Sequence, residues 1–149
     1  MEVVKSPIWK QAVEDFLASD FTYGDTVRHD WFVTHFRLEE PDTAREQKEF
    51  QAAMATNFAK FRKRMLKSHL MDFVNVWGKG YVIVKPGDQA SVALKDTREA
   101  IRKAVADAVD RVSFVNQEML TDAQRQENTN AQNKLAMLQS MAAPKKWLR

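Results

Sequence analysis

The chain has 149 residues, of which 44% are hydrophobic and 29% charged. That length holds one compact domain plus an appendage, and the composition excludes global disorder. The absence of cysteine rules out disulfides, thiolate metal sites and cysteine nucleophiles, the net charge of +3 rules out a polycation, and a cytoplasmic location is expected.

In chain order, Met1 to Lys5 lack the basic and then apolar pattern of a leader. No run approaches the roughly 20 apolar residues that cross a bilayer, so a soluble, untargeted protein with no membrane partner is expected. Ser6 is a candidate N-cap with Pro7 at the first helical position, and Ile8, Trp9, Ala12, Val13, Phe16 and Leu17 have helical spacing up to about Ala18. Phe21 and Tyr23 before Gly24 suggest one brief strand over 20–24. Asp25 or Thr26 then caps a second helix through Val27, Trp31 and Phe36, ending before the turn-prone Glu39-Glu40-Pro41-Asp42.

From Thr43 to about Met71 there is no Gly or Pro, and Phe50, Met54, Phe58, Phe61 and Met65 recur every three or four residues. This spacing predicts a long helix with one apolar face. The pattern changes after Asp72. Phe73, Val74, Val76 and Trp77 precede Gly78-Lys79-Gly80, and Tyr81, Val82, Ile83 and Val84 follow, which predicts a β-hairpin closed off by Lys85-Pro86-Gly87-Asp88.

A last helical region is expected from about Leu94, with a heptad seam at Ile101, Val105, Ala108, Val112, Val115 and Met119. Thr121 to Gln124 has the form of a capping box, and Leu135, Leu138 and Met141 form a weaker continuation. Lys145, Lys146 and Trp147 fall in an end expected to fray. The expected class is therefore mostly α with a small β-hairpin (α+β): a domain over 1–89 and a C-terminal helical extension over 90–149. The seam is expected to join two copies in a homodimer or to dock a partner, the alternative being that it packs back on the domain.

Charge is unevenly spread. Between Lys60 and Lys85 stand seven Lys/Arg and one acid, Asp72, a surplus of +6 that leaves about -3 for the rest of the chain. Advancing 100° per residue from Met54 places Phe58, Phe61 and Met65 within roughly 40° of it, while Lys60, Lys63, Arg64 and Lys67 fall at about 180° to 280°. One face buries while the other is free to meet phosphate.

The succession helix, strand, helix, longer helix and Gly-tipped hairpin, with Val74-Asn75-Val76-Trp77-Gly78-Lys79-Gly80-Tyr81-Val82-Ile83-Val84 at its end, resembles the winged-helix family of DNA-binding domains. The likeness covers about half of the chain and implies a helix in the major groove with a hairpin wing beside it. In that arrangement Lys60, Lys63 and Lys67 neutralise phosphates, Asn57, Arg62, Arg64 and Ser68 are the candidates for base edges, and Lys79 sits at the wing beside backbone or minor groove. Tyr23, Trp31, Phe50, Phe58 and Phe61 are read as core side chains rather than a stacking set, with Trp77 the exception beside the turn.

Chemistry is not evident in the sequence. His29, His35 and His69 lack zinc spacing, and Asp25 with His29 is only two ligands one helical turn apart. The four glycines, Gly24, Gly78, Gly80 and Gly87, form no phosphate loop or nucleophile elbow. Glu39, Glu40 and Asp42 read as surface charge. The expectation is thus no enzyme, no cofactor and no metal, but a regulator of transcription or of a phage or mobile element that binds double-stranded DNA. The alternative is a protein-interaction module, a small inhibitor or adaptor of phage type, whose basic face docks an acidic protein.

Overall fold

The computed structural model describes residues 6–143. It divides after Gln89 into two compact units, Met1–Gln89 and Ala90–Arg149. Lys145, Lys146 and Trp147 lie outside the described residues.

Unit 1 begins with helix α1, Ile8–Leu17, which buries Ala12, Val13 and Phe16 along one stripe. Pro7 itself is the N-cap residue and no side chain caps the helix, so the expected Ser6 cap is not used. Residues 20–24 form no strand; the strand β1 is Thr26–Arg28, and the helix that follows, α2, is only His29–His35. Local propensity allows either state at Val27, but its backbone pairs with Tyr81 and its side chain is fully buried. Tertiary pairing of a β-branched residue outweighs the local helical pattern.

Helix α3, Ala44–His69, is the long helix expected. The Thr43 hydroxyl accepts the Glu46 N–H at 3.1 Å, and the Glu46 carboxylate accepts the Asp42 N–H at 2.8 Å, which satisfies donors left open at the helix start. Leu70, in the left-handed region at φ 58°, ends it. The hairpin follows as β2, Phe73–Val76, and β3, Gly80–Ile83, and β1 adds to the other edge of β3, giving the antiparallel order β1-β3-β2. Gly80 is required there: at φ 152° a Cβ would stand 2.2 Å from the Val27 carbonyl oxygen.

The core of unit 1 is aromatic. Phe16, Phe32, Phe61 and Phe73 are each at most 2% exposed. Their rings meet edge-on or tilted, with Phe32–Phe61 centroids 5.3 Å apart and Phe61–Phe73 5.5 Å, an arrangement that matches positive ring edges to negative faces. Trp31, Phe58 and Tyr23 pack half-buried against this cluster. Phe50 is half-buried in a depression beside Met54, Phe58 and Tyr81.

Unit 2 is built of two helices, α4, Gln89–Ser113, and α5, Asp122–Ala142. Helix α4 starts five residues before the expected Leu94, directly after a 3-10 turn at Pro86–Asp88, since Pro suits the entry to a helical turn. It ends before Val115 and Met119, so the seam as expected runs past its helix; Met119 belongs to a 3-10 turn and is 80% exposed. Val105 is buried, and Ala108 and Val112 border a shallow groove shared with Ala131 and Leu135 of α5. Thr121 and Gln124 form the capping box at the start of α5, with bonds of 3.2 and 3.0 Å.

Candidate nucleic-acid interface

The orientation of α3 is set by what it buries. Phe61 and Met65 are fully buried, Met54 and Phe58 half-buried, so the side of the helix away from the core is open. Lys60, Lys63, Arg64 and Lys67 are exposed on it. Together with Ser68 they line a cleft whose other wall is the start of α1, contributed by Pro7, Trp9 and Lys10. The Arg64 guanidinium lies 5.3 Å from the centre of the Trp9 ring and the Lys10 ammonium 5.6 Å. The ring quadrupole attracts both and holds Arg64 at the cleft wall.

Lys10, Lys60, Lys63, Arg64 and Lys67 line this cleft without a carboxylate among them. None is in an ion pair with a described carboxylate. Gathered cations with no described carboxylate between them repel one another, and a bound anion relieves that repulsion while meeting little desolvation cost at an open surface. Trp9 and Lys10 were invisible to a helical-wheel reading of α3, because they stand some fifty residues earlier in the chain.

The remaining candidates are placed elsewhere. Arg62 lies on the flank of α3 that faces the hairpin, where its Nε donates to Asp72 at 2.8 Å. Asp72 is only 8% exposed; the same carboxylate oxygen accepts the Phe73 N–H at 2.8 Å, and its backbone carbonyl accepts the Val84 N–H at 2.9 Å. Arg62 is therefore a strut between α3 and the sheet, not a free reader of bases. Next to it Tyr81 stacks on Phe58 with centroids 4.0 Å apart, and burial pushes its phenol above the ordinary value against the opposing positive field of Arg62. Asn57 is half-buried and donates its amide to the Ala53 carbonyl of its own helix at 2.9 Å. Lys79 is exposed in the hairpin turn. Thus Lys60, Lys63, Arg64, Lys67 and Ser68 converge, and Asn57, Arg62 and Lys79 do not join them.

The loop that leads into α3 is acidic. Glu39, Glu40, Asp42, Glu46 and Glu49 line one depression together with Arg37. Glu46 and Arg64 are 18 residues apart on one helix, about 27 Å at 1.5 Å per residue. Carboxylates gather beside one end of α3 and cations beside the other.

Comparison with family models, curated proteins and solved structures gives no match. His29 bonds to Asn75 at 2.9 Å, and His35 to Asp15 at 2.9 Å while stacking on Trp31. Among the described residues no three His, Asp or Glu side chains are grouped to hold a metal ion, and no helix is long and apolar enough to cross a membrane.

Proposed function

We propose that this chain is a non-catalytic protein that binds double-stranded DNA in the manner of a regulator. The observation that carries this reading is the cleft between α1 and α3, lined by Lys10, Lys60, Lys63, Arg64 and Lys67 without a carboxylate. Regularly spaced phosphates are the polyanion that such a row of cations suits, and each neutralised phosphate releases counterions. The order α1, β1, α2, α3, β2, β3 with the sheet order β1-β3-β2 supports a winged-helix reading of unit 1. Contact is made by the C-terminal half of α3, because the acidic loop that leads into the helix repels the backbone. Lysines there supply affinity, and Arg64 and Ser68 are the side chains able to reach a base edge.

Fluorescence anisotropy with a mixed-sequence duplex tests this. Wild type is expected to lose affinity steeply with salt, with a slope near -0.9 for each phosphate engaged. Changing Lys60, Lys63, Arg64 and Lys67 together to Glu is expected to lower affinity at least a hundredfold at low salt and to flatten the slope by about 3 to 4. These side chains are exposed, so circular dichroism should show the fold retained. Equal affinity of the two proteins removes DNA binding from this cleft.

A wild-type protein that binds no duplex passes the assignment to a second reading, a protein partner. It is favoured by the apolar surface of unit 2, where Leu94, Phe114, Met119, Met137 and Met141 are all more than half exposed. Exposed apolar side chains that form one contiguous patch are characteristic of interaction surfaces.

A further inference from the structure

The hairpin carries a side chain that neither the core nor the cleft uses. Trp77, at the turn between β2 and β3, is 94% exposed. Its ring meets no other aromatic ring among the described residues, and an indole so fully hydrated contributes nothing to packing. Its mount is firm. Four residue pairs, from Phe73↔Ile83 to Val76↔Gly80, close the hairpin up to the turn, and the Lys79 N–H donates to the Val76 carbonyl at 3.0 Å. On the other edge β1 presses against Gly80 so closely that no Cβ fits. The indole is thus presented on a rigid support rather than on a loose loop.

The surroundings indicate what meets it. Lys79 follows two residues later, and Arg28 on β1 stands opposite Gly80. Asp30 approaches Arg28 at 3.6 Å, but both are about three-quarters exposed, so the pair is weak in water. A flat, exposed aromatic face on a hairpin that also carries an exposed lysine suits a planar group linked to phosphate. In continuous duplex the bases offer only their edges in the grooves, because their faces are stacked on one another. An unpaired base has a free face.

We propose that Trp77 is a stacking platform for an unpaired nucleobase, so that the protein favours duplex carrying a single-stranded flap over continuous duplex. This rests on the nucleic-acid reading above and names the kind of DNA bound. Base stacking on an aromatic side chain corresponds to a preference of about tenfold for one base.

The test compares a blunt 30-base-pair duplex with the same duplex bearing a three-nucleotide flap at its centre, so that the ends are common to both. Wild type should bind the flap about tenfold tighter. Trp77→Ala should bring the flap down to the affinity of the blunt duplex and leave the latter unchanged, and Trp77→Phe should retain part of the preference. With 2-aminopurine in the flap, wild type should quench its fluorescence and Trp77→Ala should not. A wild-type protein that binds both DNAs equally overturns the proposal. So does a Trp77→Ala variant that keeps the preference or loses both DNAs alike, which marks the indole as an ordinary backbone or protein contact. Failure of wild type to bind either DNA sinks the nucleic-acid reading itself, and is distinguishable because the blunt duplex reports on the cleft alone.

Discussion

The two units of this chain are held together in different ways. Among the described residues unit 1 buries eleven hydrophobic side chains and unit 2 only two, Val105 and Ala142. Unit 1 is therefore stabilised by long-range packing, in which Phe16, Phe32, Phe61 and Phe73 join elements far apart in sequence. Unit 2 depends far more on local devices: a capping box, backbone hydrogen bonds and one shallow apolar groove. A tightly packed core holds the cleft and the hairpin on a firm support. Two sparsely packed helices with exposed methionines have instead an adaptable surface, since Met side chains repack readily.

The largest effect should follow from opening the core of unit 1. Phe61→Ala removes a fully buried ring in contact with Phe16, Phe32 and Phe73, and a loss of about 3 to 5 kcal/mol is expected. Urea unfolding followed by near-ultraviolet circular dichroism measures it; a loss below 1 kcal/mol would mean that the aromatic cluster is not what holds unit 1 together.

A smaller and local effect is expected in unit 2. Thr121→Ala deletes the hydroxyl that accepts the Gln124 N–H and should cost about 1 kcal/mol. Hydrogen exchange should quicken in the first turns of α5 while α3 remains protected. Faster exchange across both units would show that they unfold as one cooperative body.

The smallest effect is electrostatic. The hydrogen bond from His35, and then that from Gln11, holds the Asp15 carboxyl below its ordinary value, with burial opposing. A carboxyl whose folded value is depressed adds stability above its unfolded value, near 3.8, and that contribution disappears as the pH falls through the folded value. Asp15 is 35% exposed, so screening limits the contribution to below about 1 kcal/mol. Asp15→Asn should be slightly less stable than wild type at pH 6, and the two melting curves should converge as the pH falls from 3.8 through the lowered folded value. A gap that persists there would assign the loss to packing rather than charge.

The amino-acid sequence alone determined the features that depend on near neighbours. Helix α3 was legible from the spacing of Phe50, Met54, Phe58, Phe61 and Met65, the hairpin from β-branched and aromatic residues around Gly78 and Gly80, and the start of α5 from Thr121 and Gln124. The convergence of Lys60, Lys63, Arg64 and Lys67 was equally legible, because residues three and four apart share one face of a helix. Only the tertiary structure decided the rest. Three residues of β1 form a strand because β3 is there to pair with them, and Arg62 is a strut because Asp72 is buried beside it. The second wall of the cleft, Trp9 and Lys10, is brought to α3 by the packing of α1 on the aromatic core. Local periodicity reports which side of an element is buried; it cannot report which distant element covers that side, because burial is non-directional and many partners satisfy it equally.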